Sequence, residues 1–326
     1  MKSLSITHRN MYVLFVLLFL SFVASLICGT VLFGPADIIS GLFVHDSSIE
    51  HAIIYQIRLP RALSAALVGA SLGIAGCLLQ VTTRNPLADP AILGVSALSG
   101  LALAVTTLIF QDAGPVLRAI ACVVGGFIGA VALLLISRGV DSPLRITVVG
   151  VAIGAFASAG IVGAITGSRV VLELALGFLA GGLYGAGWFD ASLWVVWIPA
   201  VCIFIIFFTR RLDNLALGDE VARNLGERPE MTRVCAILFS GLITGAAVSI
   251  GGLISFVGLA SPHIAAGLIR RAGPSFYIGS MIIGMFIVLC ADTLARVVIS
   301  PSELPAGILT AAIGAPILIY LVRREL

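Results

Sequence analysis

Charged residues are scarce in this sequence. Asp, Glu, Lys and Arg make up 11% of the 326 residues, hydrophobic residues make up 60%, and the mean hydropathy is +1.15. Since a soluble globular protein has ~25% charged residues, the composition excludes an ordinary soluble domain and predicts an integral membrane protein. The net charge of +3 is too small to indicate a nucleic-acid partner, so we expect none.

Lysine is almost missing, because Lys2 is the only one in the chain. A phosphate-binding Walker loop requires a lysine beside its glycines. The chain therefore lacks such an ATP site, and any ATP and magnesium that drive its work would be bound by another subunit. We predict no catalytic residue, and no cofactor or metal ion bound by this chain.

Acids within the apolar runs are also few. Ion-coupled carriers usually show paired intramembrane acids and inverted repeats, whereas here only Asp292 lies inside a long apolar run and no convincing repeat is present. A secondary transporter is therefore the less favoured alternative. An intramembrane enzyme would need a nucleophile with a base or a metal cluster, and the sequence indicates neither. Six cysteines without CxxC spacing favour packing over disulfides or zinc.

Long apolar runs predict an all-α, polytopic membrane protein with about ten transmembrane helices in a single domain, residues 1–326. Most runs approach the ~20 residues that a helix needs to cross a bilayer. The first is interpreted as a retained span rather than a cleaved signal, because no small residue precedes a cleavage point. The predicted spans are residues 11–33, 62–81, 92–110, 116–136, 146–166, 192–209, 232–250, 254–269, 276–296 and 306–322.

The arginines predict the orientation. If the N-terminus is inside, all but five of the 19 basic residues fall on the inner side. Positive residues accumulate on the cytoplasmic side of membrane proteins, so both termini are expected there. The five outer residues would be Arg58, Arg61, Arg118, Arg169 and Arg296.

Residues 210–233 concentrate the polar residues, with five arginines and five acids. Asp219 is expected to start a short helix, because its side chain can accept from free amides of a first turn. Gly226 is expected to end that helix in the left-handed conformation. Helical spacing places Val221, Ala222 and Leu225 on one face. The segment is either a solvated loop or an amphipathic helix presented to a soluble partner.

Arg58, Arg61 and Arg296 border the outer ends of two predicted spans. They either anchor the helices at the lipid headgroups or bind acidic residues of a soluble partner. Asp292 is four residues before Arg296, and this spacing allows an ion pair within one helix.

Residues 85–90, Asn-Pro-Leu-Ala-Asp-Pro, follow the second span on the inside. Their two prolines interrupt helices on both sides, and Asp89 is expected to cap the next helix. The segment is either a tight turn or a constriction at the inner end of a pathway. Pro262 should free a backbone carbonyl near Gly258, one turn earlier in the eighth span.

Six motifs follow one another in the chain. They are RLPR at 58–61, RNPLADP at 84–90 with LGV at 93–95, LGDEVARNLG at 217–226, FVGLASPHI at 256–264, ADTLAR at 291–296, and ELPAG at 303–307 with IGAP at 313–316. Together they resemble the FecCD family, the permease subunits of type II ABC importers for iron–siderophores, haem and cobalamin. The loop at 141–144 matches this family poorly, so no gate residue is predicted there.

The resemblance implies a type II ABC importer permease fold in the inner (cytoplasmic) membrane of a bacterium. The implied partners are two ABC ATPase subunits, a second permease subunit, identical or paralogous, and an extracytoplasmic substrate-binding protein. The ATPase subunits would bind ATP and magnesium. The implied substrate is an iron–siderophore moved by alternating access, with haem or cobalamin as the alternative.

The resemblance also implies residue roles. Arg58, Arg61 and Arg296 would dock the binding protein, and the span at 146–166 would line the pathway. The turn of Asn85, Pro86 and Leu87 would form part of an inner gate. The helix that couples the permease to the ATPase would comprise Leu217, Gly218, Asp219, Glu220, Ala222, Arg223, Leu225 and Gly226.

Overall fold

The structure is a computed structural model that describes residues 2–44, 48–137, 143–167, 172 and 177–325. The described residues form helices and no strand, which confirms the all-α prediction. The helices are α1 Lys2–Ile27, α2 Pro35–Phe43, α3 Ile49–Thr83, α4 Val95–Ile109, α5 Pro115–Ile136, α6 Pro143–Gly167, α7 Trp188–Ser192, α8 Trp194–Ala216, α9 Asp219–Asn224, α10 Pro229–Gly251, α11 Val257–Leu268, α12 Pro274–Val297 and α13 Ala306–Glu325.

Every predicted span corresponds to a helix. Seven helices of the described chain are long and apolar enough to cross a bilayer, and α4, α11 and Ala306–Ile319 of α13 are shorter apolar helices. The predicted end of the first span is wrong, because α1 ends at Ile27 rather than at residue 33. The carbonyls of Leu26 and Ile27 accept hydrogen bonds from Arg58 at 2.7 and 2.8 Å, which satisfies groups that a helix end leaves free.

Helix α3 is the centre of the bundle. Of its most apolar stretch 94% is buried, compared with 22% for α1 and 28% for α8. It packs against α10, α11 and α12. At Gly69 the backbone of Gly284 on α12 leaves no room for a Cβ. Small residues let helices in lipid approach closely, and Gly69 and Gly73 allow this contact between α3 and α12.

Helix α3 is π-helical over Ala52–Arg58, and the amide of Leu59 bonds to the carbonyl of Ile54. Pro60 follows directly. Proline has no N–H to donate and its ring clashes with the carbonyl four residues earlier, so the wider π turn accommodates it. The result is one long helix that carries Arg58 and Arg61 near its beginning.

Helix α11 contains Pro262 in its interior, and the expected free carbonyl is at Gly258. Gln80 of α3 donates from Nε2 to this carbonyl at 3.4 Å and to the carbonyl of Leu259 at 3.3 Å. A side-chain amide thus replaces part of the helical hydrogen bonding where proline interrupts it.

Candidate functional site

One aspartate is clamped by two arginines at the end of the bundle where α1 and α12 finish. Arg61 Nη2 and Nε donate to Asp292 Oδ1 at 2.9 and 3.0 Å, and Arg61 Nη1 donates to Glu303 Oε2 at 2.8 Å. Arg296 Nε lies 3.3 Å from Asp292 Oδ2, which confirms the predicted pair within α12. Arg296 Nη2 also donates to Ser25 Oγ of α1 at 2.9 Å. We call these four charged residues the Asp292 cluster.

Three of the four residues of the Asp292 cluster are buried. Asp292 is 0% exposed, Arg296 4% and Arg61 7%. Two arginines and two carboxylates balance in formal charge, and each buried charge has a hydrogen-bonded partner of opposite sign. Burial of ions is tolerated only when they are paired in this way, because desolvation is costly. The cluster therefore joins α1, α3, α12 and the segment before α13 into one unit.

Arg58 lies beside this cluster and is 4% exposed. It donates to the carbonyls of Leu26, Ile27 and Val31, and its guanidinium stacks 4.8 Å from the ring centre of Phe33. Arg58, like Arg61 and Arg296, thus contacts this chain's own atoms in the present conformation. Docking of a binding protein by these arginines stays a prediction.

A second aspartate is clamped by two arginines at the opposite end of the bundle. Arg233 Nη2 of α10 donates to Asp219 Oδ1 and Oδ2 at 3.1 and 3.2 Å, and Arg84 forms a salt bridge with Asp219. Arg233 Nε also donates to the carbonyl of Thr82 at 3.1 Å, and Arg84 to that of Leu215 at 3.2 Å. We call Asp219, Arg84 and Arg233 the Asp219 cluster.

The expectation that Asp219 caps its own helix is wrong. Gly218 occupies the cap position without a side-chain hydrogen bond, and its φ of +123° is one that glycine adopts readily. The carboxylate of Asp219 is bound by the arginines instead, since charged donors make stronger bonds than backbone amides. Partial burial tends to raise the pKa of Asp219, but Arg233 and Arg84 outweigh it and hold the pKa below its ordinary value.

Helix α9 ends as the sequence predicts. Gly226 has φ +83°, and its amide donates to the carbonyl of Arg223 at 2.9 Å. The amide of Glu227 reaches back to the carbonyl of Ala222 at 3.0 Å. This pair of bonds is the Schellman arrangement, which satisfies the last carbonyls of a helix.

The exposed surface of α9 differs from the predicted face. Ala222 is fully buried, whereas Val221 is 42% and Leu225 58% exposed. Leu217, just before the helix, is 66% exposed, so three large apolar side chains recur at intervals of four. We call Leu217, Val221 and Leu225 the apolar stripe of α9. Exposed apolar groups rimmed by polar residues are typical of protein interaction sites.

The polar rim of that stripe is exposed. Arg223 and Glu230 form a salt bridge between α9 and α10, with side chains 56% and 63% exposed. The hydrogen bond that Arg223 donates to Glu230 favours the charged guanidinium and raises the pKa of Arg223. Glu220 is also exposed, at the first turn of α9.

The turn after α3 is fixed by Asn85. Its Oδ1 accepts from the amide of Leu87 at 3.0 Å, and its Nδ2 donates to Thr147 Oγ1 of α6 at 2.9 Å. The first bond is an Asx turn, which confirms the tight-turn interpretation. Asn85, Pro86 and Leu87 are half-buried, and their role as a gate stays a prediction.

The expectation that Asp89 caps α4 is wrong, because Gly94 occupies that cap position. Its Oδ1 accepts from the amide of Ala91 at 2.7 Å, and its carboxylate also accepts from Leu259 at the beginning of α11. It is 2% exposed. Burial raises its pKa to about 6, while the bonds from backbone amides oppose the rise.

Sequence reasoning found the pair of Asp292 and Arg296 but missed the partners that come from different helices in both clusters. Arg61 and Glu303 are 242 residues apart, and Arg84 and Asp219 are 135 apart. No spacing rule connects residues on different helices. The available signal was that each of these residues belongs to a motif of the resemblance.

Comparisons with known proteins agree with this architecture. The FecCD transport family model matches residues 17–324. An Fe(3+)-citrate import system permease protein of Bacillus subtilis, YfmE, is 38% identical over 96% of this chain and 94% of its own length. A vitamin B12 import system permease protein of Vibrio cholerae, BtuC, is 34% identical over 86% of this chain and 85% of its own length.

A solved structure shares the fold. It is described as an inward-facing conformation of a metal-chelate type ABC transporter, is 27% identical, and covers 97% of this chain and 99% of its own with a TM-score of 0.81. The family match extends over nearly the whole chain and agrees with the order of the helices and motifs. The chain therefore belongs to the FecCD transport family.

Proposed function

We propose that this chain is the permease subunit of an ATP-driven importer that moves an iron–siderophore or related ferric chelate across the bacterial inner membrane by alternating access. The observation that carries the proposal is the Asp219 cluster. This cluster connects α9, which bears the exposed apolar stripe, to the turn at Asn85 and, through Thr147, to α6. A continuous set of contacts thus leads from a surface that fits a soluble motor to a membrane helix.

The first step of coupling is docking of α9 on the ATPase. The apolar stripe of α9 supplies the anchor, and the exposed Glu220 and Arg223 supply a polar rim. A helix that offers apolar residues to a groove is a recurrent mode of recognition. Movement of the ATPase then displaces α9.

The second step passes through Asp219. Since its carboxylate holds both Arg84 and Arg233, displacement of α9 pulls on the end of α3 and the beginning of α10. Arg84 precedes Asn85 directly, and Asn85 is hydrogen-bonded to α6. The turn of Asn85, Pro86 and Leu87 therefore moves with α9 and opens or closes the inner end of the pathway.

The Asp292 cluster supplies a rigid outer platform for the substrate-binding protein. Arg61 and Arg296 are already paired, so they act by fixing the outer ends of α1, α3 and α12. Among the described residues Arg58 has no carboxylate partner, since it binds backbone carbonyls. Arg58 is therefore the arginine that would exchange those carbonyls for an acidic residue of the binding protein.

The proposed assembly contains a second permease, two ABC ATPases that bind ATP and magnesium, and the binding protein. Both termini of this chain lie on the cytoplasmic side, because that orientation places most arginines inside. The similarity to the BtuC protein favours cobalamin as the second candidate substrate. A carrier driven by an ion gradient is disfavoured, because Asp292, an acid deep in a long helix, is held by two arginines.

Reconstituted vesicles test the proposal. Vesicles contain the permease with its partner ATPase and binding protein, and ATP is trapped on the ATPase side. They should accumulate labelled ferric chelate. Labelled cobalamin is assayed in the same way as the second candidate substrate. An ATPase without its catalytic residue is the control and should abolish accumulation. Uptake that survives this control but collapses with an ionophore would contradict the proposal.

A further inference from the structure

A groove runs between α8 and α12 on the outside of the bundle. Its volume is about 600 Å³, and its apolar walls include Trp197, Val201 and Ile205 of α8 and Ile278 and Met281 of α12. No residue of the Asp219 cluster, the Asp292 cluster or the turn at Asn85 lines this groove.

The groove becomes polar at one end. Thr209, Arg210 and Asp213 line it where α8 approaches its own end. Arg210 is exposed and forms no salt bridge to a described residue. Asp213 accepts from the amide of Gly273 at 2.8 Å and from the hydroxyl of Tyr277 at 3.3 Å. The carboxylate therefore has neutral donors, while the guanidinium of Arg210 remains available.

Two more arginines come just before Gly273, which lines this end of the groove. Arg270 and Arg271 are in the loop between α11 and α12, and both are exposed. Arg270 is the charged neighbour of Asp213, and neither arginine forms a salt bridge to a residue that the structure describes. Three arginines against one aspartate leave an excess of positive charge where the apolar groove opens.

The groove is long enough for an extended acyl chain. Trp194 and Arg210, which both line it, are separated by ~24 Å along α8 at 1.5 Å per residue, most of a hydrocarbon core ~30 Å thick. Ile198 and Ile206 beside the groove are 47% and 74% exposed on a candidate membrane span. An occupant at this depth is surrounded by lipid on its open side.

We propose that this groove binds an anionic glycerophospholipid, with its phosphate at Arg210, Arg270 and Arg271 and an acyl chain along the walls of α8 and α12. Arginines near an anionic lipid headgroup attract it electrostatically, and burial of the chain against apolar walls adds contact area. A soluble anion would use only the polar end, and a zwitterionic lipid would gain little from the excess positive charge. This site does not depend on which substrate the protein transports.

Native mass spectrometry of the purified permease with its partner ATPase tests the site. Phosphatidylglycerol and phosphatidylcholine with identical acyl chains are added at equal concentration, and phosphatidylglycerol should be retained preferentially. Arg210→Gln and Arg271→Gln should each reduce its retention about fivefold, the equivalent of ~1 kcal/mol for a basic residue at an anionic surface. Arg228→Gln is the matched control, because Arg228 is an exposed arginine outside the groove that forms no salt bridge to a described residue.

A second variant separates the lipid from a free anion. Cys202 is exposed and lines the groove, so Cys202→Trp should block the acyl chain and lower retention without a change of charge. Equal retention of the two lipids would overturn the proposal. Retention that Cys202→Trp leaves unchanged would also overturn it, since the anion would then bind through arginines alone. Retention of neither lipid would also overturn the proposal.

Discussion

The Asp292 and Asp219 clusters use the same chemistry in different surroundings. In each, one aspartate on a helix is held by two arginines, and one of the two comes from a distant part of the chain. The side chain of Asp292 is 1% exposed, whereas that of Asp219 is 30% exposed. Asp292 itself is enclosed by α1, α3 and α12, although Arg61 and Glu303 of its cluster line a cavity of about 840 Å³. The Asp219 cluster borders a cavity of about 1020 Å³ lined by α5, α9 and α10.

The difference teaches what each cluster is suited to do. Removing one partner from a buried ion pair leaves a charge without compensation, so the Asp292 cluster resists rearrangement. Pairs that reach solvent exchange a partner for water at little cost. The Asp219 cluster can therefore change geometry when α9 moves, while the Asp292 cluster holds the adjoining parts of α1, α3 and α12 together.

The largest expected effect comes from Asp292→Asn. It leaves two buried arginines with only Glu303 as a charged partner, so we expect the free energy of unfolding to fall by ~3–5 kcal/mol. Thermal unfolding in detergent measures this. Glu303→Gln is the matched control with a smaller effect, because the side chain of Glu303 is 27% exposed. Equal shifts for the two variants would contradict the idea that burial determines the cost of removing a charge.

Leu225→Asp changes the inner region without touching either cluster. Leu225 is 58% exposed, so the fold should be retained. A charge in the apolar stripe should weaken docking on the ATPase and uncouple ATP hydrolysis from transport by roughly tenfold, the equivalent of ~1.4 kcal/mol. Hydrolysis and uptake are measured together in vesicles. Normal stimulation of hydrolysis by loaded binding protein would contradict the role of this helix.

Asp219→Asn removes the charge that Arg84 and Arg233 share in the Asp219 cluster. Both of its salt bridges are partly exposed, so stability should fall by only about 1 kcal/mol. Transport should nevertheless fall more than stability, because Arg84 and Arg233 lose their shared partner on α9. The readout is uptake per hydrolysed ATP in a variant that is fully folded. If uptake stays at the wild-type level, Asp219 is a structural contact and not a coupling residue.

Two acids outside the membrane spans should respond to pH with opposite signs. The pKa of Asp219 is lowered, so its stabilising contribution is complete above ~3.9 and is lost as pH falls through the folded pKa. The pKa of Asp89 is raised to about 6, so stability should decline as pH rises through ~4 to 6. Unfolding of Asp89→Asn should lack this decline; an unchanged profile would exclude Asp89 as its source.

The smallest effect is expected from Arg223→Gln. Its bond to Glu230 lies at the surface, where ion pairs are screened by water and salt. The unfolding transition should not shift measurably. A clear shift would show that surface pairs of the α9 segment contribute to the fold, and the contrast with the Asp292 cluster would then be weaker.

Much of the fold was predictable because its signals are local. Apolar runs locate ten of the described helices, and Gly226 ends α9 through a rule that involves only neighbouring residues. The pair of Asp292 and Arg296 followed from spacing on one helix. Predictions failed where a distant residue competed with a local rule. Asp219 binds Arg84 and Arg233 rather than its own helix, and Asp89 binds α11 rather than capping α4.

The sequence by itself determined that this protein is a membrane-embedded helical bundle with one concentrated polar segment, because hydropathy and helical periodicity act along the chain. Only the tertiary structure decided which charged side chains are buried and which reach solvent. That depends on helices far apart in sequence packing together, as α3 does with α12. The arginines at 58, 61 and 296 read as surface groups in the sequence, and packing buries all three.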